Sequence, residues 1–306
     1  MKFKKTLAAA SGLLALALIT FTGGCAGPSK SLTPSEQASA VTQTYGTPEK
    51  PADQTVKAEP ADNKQAPVIK PQLGPAPAQG KTPEDREKVV YLTFDDGPNS
   101  FFTGRVLDIL AEKGVKATFM VVGNNVEKNP DLVKRMLAEG HGLANHTYSH
   151  DYNIVYRSPG AFTDDLDKNN KVLIPYTAEP VMVFRAPGGP QKLDQSYKER
   201  LRARGYISVG WNITSADSDP HGVTPEQEYN NIVRDLERVE RLKKSPIVLM
   251  HDGTQLASIE ARPGTPQAAY IQNRESTIKA LPAVIDLFKS RGYRFAVVDE
   301  HTPPAW

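Results

Sequence analysis

Residues 89–98 read Val-Val-Tyr-Leu-Thr-Phe-Asp-Asp-Gly-Pro: a short β-rich run that ends on two acids and a turn. The same design recurs along the chain. TGRVLDILAEK at 103–113 places Val106, Leu107, Leu110 and Ala111 on one helical stripe. ATFMVVG at 117–123 reads as a second strand, and Asn129-Pro130 opens a helix through Met136 and Leu137 that stops at Gly140. Further strands are expected at 142–145, 181–185, 206–211, 246–250 and 294–298, with helices at 160–173, 193–204, 224–243 and 275–290. Short strands alternating with helices build a parallel sheet. About seven such units over residues 89–306 fit a distorted, incomplete (β/α) barrel better than an open sheet, and no internal repeat is visible.

In such a barrel, chemistry sits at the C-terminal ends of the strands. Ionisable groups gather there: Asp95-Asp96, His146 and His150, Arg185, Asp217, and His251-Asp252 each follow or end an expected strand. Five strands aiming such groups at one rim mark a candidate site.

The chain ahead of this unit differs in kind. Lys2, Lys4 and Lys5 precede an apolar run at 6–21, and Gly23-Gly24-Cys25 follows. That order is a secretory signal. The single Cys, directly after two Gly, predicts a lipoprotein-type signal over 1–24, with Cys25 lipidated as the mature N-terminus. Thr22 stands where such a signal usually has Leu. The alternatives are plain secretion and an uncleaved anchor; the run is shorter than the ~20 residues a spanning helix needs. Residues 25–88 hold ten Pro and one aromatic, Tyr45. Such a segment cannot bury enough apolar surface to offset ordering entropy and is expected to be a disordered, semi-stiff spacer.

Composition excludes several classes. The 37 basic residues exceed the 35 acidic ones only through the three N-terminal Lys, so the mature chain has no electrostatic footprint for nucleic acid. One Cys excludes a disulfide framework and any Cys-rich zinc module. No feature points to a protein partner.

Asp95-Asp96-Gly97-Pro98 is by itself a good turn. Neighbours on a regular strand face opposite ways, so both acids can reach the rim only if the chain bends, and Gly97-Pro98 supplies a bend. His146-Thr-Tyr-Ser-His150 offers two imidazoles four residues apart, a spacing that suits one metal ion. With a carboxylate from Asp95 or Asp96 they make an open three-ligand site.

These segments resemble the NodB-type polysaccharide deacetylases of carbohydrate esterase family 4. Thr93–Pro98, His146–His150, Phe184–Gly189, Trp211-Asn212 through Asp217, and Ile247–Asp252 occur in the family's order and span nearly all of 89–300. The resemblance implies a distorted barrel and a deacetylase activity. It implies a divalent metal, zinc expected, on Asp96, His146 and His150. It implies Asp95 as general base, paired with Arg185, and His251 as the acid that protonates the departing amine. The backbone N–H of Gly188 would stabilise the oxyanion, at a position where many relatives carry Tyr. Leu249 would line the acetyl pocket, or serve only as strand core. Asp217 would support His251, with Asp219 as its rival, because WNITSADSDP departs from the family's common Asp-Trp motif. Tyr152 and Tyr156 could border a sugar groove or pack a loop. His141, His221 and His301 are read as structural or solvated.

The first functional expectation is thus a metal-dependent hydrolase that removes N-acetyl groups from an envelope polysaccharide, with peptidoglycan N-acetylglucosamine or N-acetylmuramic acid leading. Secretion, the lipid anchor and the spacer would place it outside the cytoplasm on the bacterial cell membrane. Exopolysaccharide, chitooligosaccharide or O-acetylated xylan are alternative substrates. A catalytically inactive glycan-binding module is the alternative of another class; the presence of Asp95, Asp96, His146, His150 and His251 argues against it.

Overall fold

The computed structural model describes residues 87–254 and 259–305. The expected signal at 1–24, Cys25 and nearly all of the 25–88 spacer lie outside the described residues. All described residues belong to one compact unit.

Eight parallel strands build the sheet: β1 (Val89–Asp95), β2 (Thr118–Val121), β3 (Gly142–Asn145), β4 (Val183–Phe184), β5 (Ile207–Ser208), β6 (Ile213–Thr214), β7 (Ile247–His251) and β8 (Arg294–Phe295). Their order is β5-β4-β3-β2-β1-β7-β6, and β8 pairs with the start of β1. Around them lie α1 (Thr103–Lys113), α2 (Gly123–Lys128), α3 (Pro130–Ala138), α4 (Tyr152–Val155), α5 (Pro159–Thr177), α6 (Gln195–Ala203), α7 (Pro225–Arg241) and α8 (Pro266–Ser290). Ser158-Pro159, Thr224-Pro225 and Thr265-Pro266 start three of the helices. In each, the hydroxyl accepts from a first-turn N–H, and Pro occupies a position whose N–H would have no helical partner.

Of the strand expected at 206–211 only Ile207–Ser208 forms, and a strand the sequence did not announce, Ile213–Thr214, follows it; the two are opposite edges of the sheet. Six spacings of about 4.8 Å would hold the edges of a flat sheet about 29 Å apart, whereas the five steps from Ser208 to Ile213 reach at most about 18 Å. The sheet must therefore curl, and it forms a half-barrel whose seam is crossed by residues 209–212. Trp211 and Asn212 lie in that crossing rather than on a strand.

Period-two alternation sorts the strands between two cores. Val90, Leu92 and Phe94 face the helices, packing with Leu107, Phe119, Val248, Met250, Leu281 and Ile285. On the inside of the curl Met120, Ala144, Val183, Val209 and Ile247 pack together. Higher up β1, the same inward face carries Thr93 and Asp95, both buried.

Candidate active site

Both acids of the 95–96 pair serve the rim because the chain turns at Asp96 itself, whose φ is 74°. Asp95 ends β1 on its inward face, and the left-handed turn swings Asp96 beside it. The sequence placed the bend one residue later, at Gly97-Pro98. Gly253 runs so close to the Asp96 carbonyl that a Cβ there would strike backbone. Thr147 and His150 also adopt positive φ, 66° and 52°. Such conformations cost free energy and persist where surrounding contacts enforce them. Here the enforcing contacts come from α5. Asp165 accepts from the backbone N–H groups of Tyr148 and Ser149 at 2.7 and 2.9 Å. The Asn169 amide donates to the carbonyls of Val121 and Thr147 and to the Asn145 side chain.

The loop thus built brings Asp96, His146 and His150 together. His146 Nε2 lies 3.4 Å and His150 Nε2 3.2 Å from Asp96 Oδ1, and one ligand atom from each of the three residues falls within 4.8 Å of the others. In a tetrahedral shell with bonds of about 2.0–2.1 Å, neighbouring ligand atoms sit about 3.3 Å apart, so this donor set fits one small divalent cation. His146 Nδ1 is 2.8 Å from the Arg185 carbonyl, which can only accept. Nδ1 therefore carries the proton, and Nε2 presents its lone pair to the cluster. Burial opposes the charge on Asp96, but His150, His146 and His251 outweigh it and hold the carboxyl far below the ordinary carboxylate range. Burial pushes His150 down, toward the neutral form that can ligate.

Asp95 stands beside the cluster. Its Oδ1 accepts from Arg185 Nη1 at 2.7 Å, while Oδ2 lies 3.7 Å from His146 Nε2. Arg185 is fully buried, its guanidinium near the Trp211 ring, and it also donates to Thr93 Oγ1 and the Gly210 carbonyl. Few residues pay so large a desolvation cost without a fixed anionic partner. Asp95 is that partner.

His251, at the end of β7, pairs with Asp217: Nδ1 to Oδ1 is 2.8 Å, and the His251 backbone N–H donates to Oδ2 at 2.7 Å. Asp219 caps a turn instead, accepting from the His221 N–H. Of the two acids, Asp217 is the one hydrogen-bonded to His251. Burial alone would lower His251, but the Asp217 charge and hydrogen bond raise it above the usual imidazole value. Asp217, despite burial, is held down to about 2 by His251 and Arg274.

Leu249 is buried on β7 and pairs with Thr93, two residues below the level at which Asp95 pairs with His251. Gly188 is exposed, with φ 70°, and a Cβ there would lie 2.5 Å from the Tyr152 hydroxyl. Tyr152 thus occupies the space a side chain at 188 would need. It is 43% exposed beside His150, so it borders the mouth. Tyr156 packs the loop, donating to the Pro187 carbonyl. His141 is buried and accepts from the Ala117 N–H, while His221 and His301 are exposed.

Sequence reasoning missed Asp165, Asn169, Arg274, Thr277 and Glu228. Arg274, buried on α8, donates to the carbonyls of Gly253 and Asp217 and lies between the carboxylates of Asp96 and Asp217. The available signal was a polar residue on an apolar helical stripe: Asp165 and Asn169 lie among Phe162, Leu166 and Leu173, and Arg274 and Thr277 precede Ile278, Leu281 and Ile285.

Known proteins resemble this chain at the levels of family, sequence and fold. The family model for polysaccharide deacetylase matches residues 82–208. A peptidoglycan-N-acetylglucosamine deacetylase of Bacillus cereus is 32% identical over 216 residues, covering 71% of this chain and 89% of that one. A chitooligosaccharide deacetylase of Rhizobium leguminosarum bv. trifolii is 33% identical over 207 residues, covering 68% and 88%. The crystal structure of a Bacillus cereus polysaccharide deacetylase superposes with a TM-score of 0.57 at 28% identity, covering 71% of this chain and 96% of that one. The curled sheet, the gathered rim and these likenesses agree, and the chain belongs to the polysaccharide deacetylases, a family of hydrolases.

Proposed function

We infer that this protein is a zinc-dependent N-deacetylase of an envelope glycan, with peptidoglycan N-acetylglucosamine, or N-acetylmuramic acid, as its substrate. The observation that carries this reading is the spacing of the Asp96, His146 and His150 ligand atoms beside two separately supported proton-handling groups, Asp95 and His251. The names of the curated relatives, which act on peptidoglycan and chitooligosaccharides, support the glycan class. The signal-like N-terminus, with Cys25 as lipid attachment point and a Pro-rich spacer to residue 88, supports action outside the cytoplasm from the membrane surface.

Asp96, His146 and His150 hold the cation on this reading. A divalent cation there supplies Lewis acidity to the acetamide carbonyl and makes water a better nucleophile at neutral pH. Asp95 accepts the proton of the attacking water through Oδ2, the oxygen that Arg185 leaves open, while Arg185 holds Oδ1 in place. The Gly188 N–H faces the developing oxyanion; loss of such a donor costs about 3–4 kcal/mol. Leu249 meets the acetyl methyl. His251, its Nδ1 held by Asp217, donates the proton at Nε2 to the departing amine. An amide requires such an acid, because its unprotonated amine leaves as a very poor anion. Acetate and a glucosamine-type free amine result.

The test is a panel of peptidoglycan, chitooligosaccharides, an N-acetylated exopolysaccharide and acetylated xylan, scored by acetate release. Highest kcat/KM on peptidoglycan is expected. A strong preference for chitooligosaccharide, exopolysaccharide or xylan would overturn the substrate assignment, and no release from any would overturn the activity.

A further inference from the structure

Behind the Asp217–His251 pair lies an acid that the reaction above does not use. Glu228, in the first turns of α7, is 1% exposed. Its carboxyl meets the Thr277 hydroxyl on α8, 3.3 Å from Oε1. That hydroxyl is also 3.1 Å from Asp217 Oδ2 and 3.1 Å from the Asn273 carbonyl. Thr277 therefore has three oxygen neighbours and one proton to give. The Asn273 carbonyl only accepts, and Asp217, bound to His251, is the ionised member of its pair. Were Glu228 also ionised, all three neighbours would be acceptors, and two buried carboxylates would share one hydroxyl. The nearest cation, Arg274, is directed at Asp217, Asp96 and the Gly253 carbonyl. Among the described residues no cation bonds or pairs with the Glu228 carboxyl.

We propose that Glu228 is a neutral carboxylic acid that donates to Thr277 and thereby closes a relay, Glu228–Thr277–Asp217–His251, that positions the Asp217–His251 pair. With Glu228 donating, the Thr277 lone pair is satisfied and its O–H turns to Asp217 Oδ2, so the carboxylate oxygen opposite His251 is pinned by both the His251 backbone and Thr277. No proton leaves Glu228 for the substrate; it is a positioning residue. The charged and titratable groups facing it are Asp217 from the segment after β6 and Arg274 from α8, with His251 of β7 behind Asp217. Burial first, and the Asp217 charge second, push the Glu228 carboxyl up to about 9, in agreement with the hydrogen-bond count.

The positioning role rests on the deacetylase reading, but the protonation state does not, and the experiment separates them. In difference infrared spectra of the full zinc-loaded chain at about pH 8, wild type minus Glu228→Gln should contain a protonated-carboxyl band. A carboxylate band in its place overturns the proposal. An NMR titration should find His251 at the same pKa in Glu228→Gln and wild type; a drop of about one unit would reveal that an anion had been removed. In turnover, Glu228→Ala should lose about fivefold in kcat with KM unmoved, the worth of about one neutral hydrogen bond, and Glu228→Gln, which keeps a donor, should recover it. Equal kcat in Glu228→Ala and wild type overturns the positioning role. If Glu228→Gln does not fold, wild type minus Glu228→Ala reads the same band. Asp252 is the other buried carboxyl pushed up, so the band is assigned by its loss in a Glu228 variant and not by its persistence alone. Absence of the band refutes the assignment. Absence of acetate release with the infrared band intact would discard the enzyme reading and leave the neutral acid standing.

Discussion

Replacing Asp217 by Asn tests the proton-donating end of the site. Asn is nearly isosteric, and its oxygen can still accept from His251 Nδ1 at the 2.8 Å now occupied by Oδ1. Its amide nitrogen would then face the His251 N–H and the Thr277 hydroxyl, which both donate in the native site. The main loss is charge. At an effective dielectric of about 20, unit charges about 4 Å apart attract by about 4 kcal/mol, and each pKa unit is worth about 1.4 kcal/mol. Screening by Arg274 reduces this, so a fall of about 1–3 units in the His251 pKa is expected. The sign follows from the roles: Asp217 raises His251, its removal lowers it, and the acid must be protonated to act. The alkaline limb of the kcat profile should therefore move down by about 1–3 pH units, with a tenfold loss per unit on its alkaline side. Acetate release followed from about pH 5 to 10, alongside an NMR titration of His251, reads both shifts. An unmoved limb with an unmoved His251 would refute the argument that Asp217 holds the acid protonated.

Three other substitutions probe separate parts. Asp95→Asn should bind zinc with native stoichiometry by mass spectrometry yet lose about 10²–10⁴ in kcat; native turnover would remove Asp95 from the proton path. Gly188→Ala should destabilise the protein by about 1–2 kcal/mol in urea unfolding, since it combines a positive φ with a clash against the Tyr152 hydroxyl, and Tyr152→Phe in the same chain should recover part of the loss. Asn169→Ala should weaken zinc binding about 10–100-fold without touching the ion, because its amide holds the loop that presents His146 and His150.

The sequence reads well where one residue type carries the message. The β1 run, the His146–His150 spacing and the alternation of strands with helices make the parallel sheet and its active rim legible before any coordinates. The half-barrel's seam was less so. Residues 206–211 look like one strand, yet only Ile207–Ser208 pairs, with β4, and the chain then crosses to the opposite edge, where Ile213–Thr214 pairs with β7. Nothing local in YISVGW distinguishes a strand from a seam crossing; the closure of the sheet decides it. The supports of the site were harder to read for a related reason. Glu228, Arg274, Asp165 and Asn169 lie on helices far away in sequence, and their polarity resembles that of any solvated face until packing buries them. The bend at Asp96 was expected one residue on, because a left-handed φ at a non-glycine is enforced by tertiary contacts rather than by local preference.

On the function proposed above, a cation held by Asp96, His146 and His150 makes this rim a deacetylase. The most direct measurement is acetate released from an N-acetylated glycan by chelator-stripped protein, before and after addition of one zinc per chain. No release is expected before addition and full recovery after it, with a free amine formed for each acetate. Release that persists in the stripped protein, or none from protein carrying its full zinc, would contradict it.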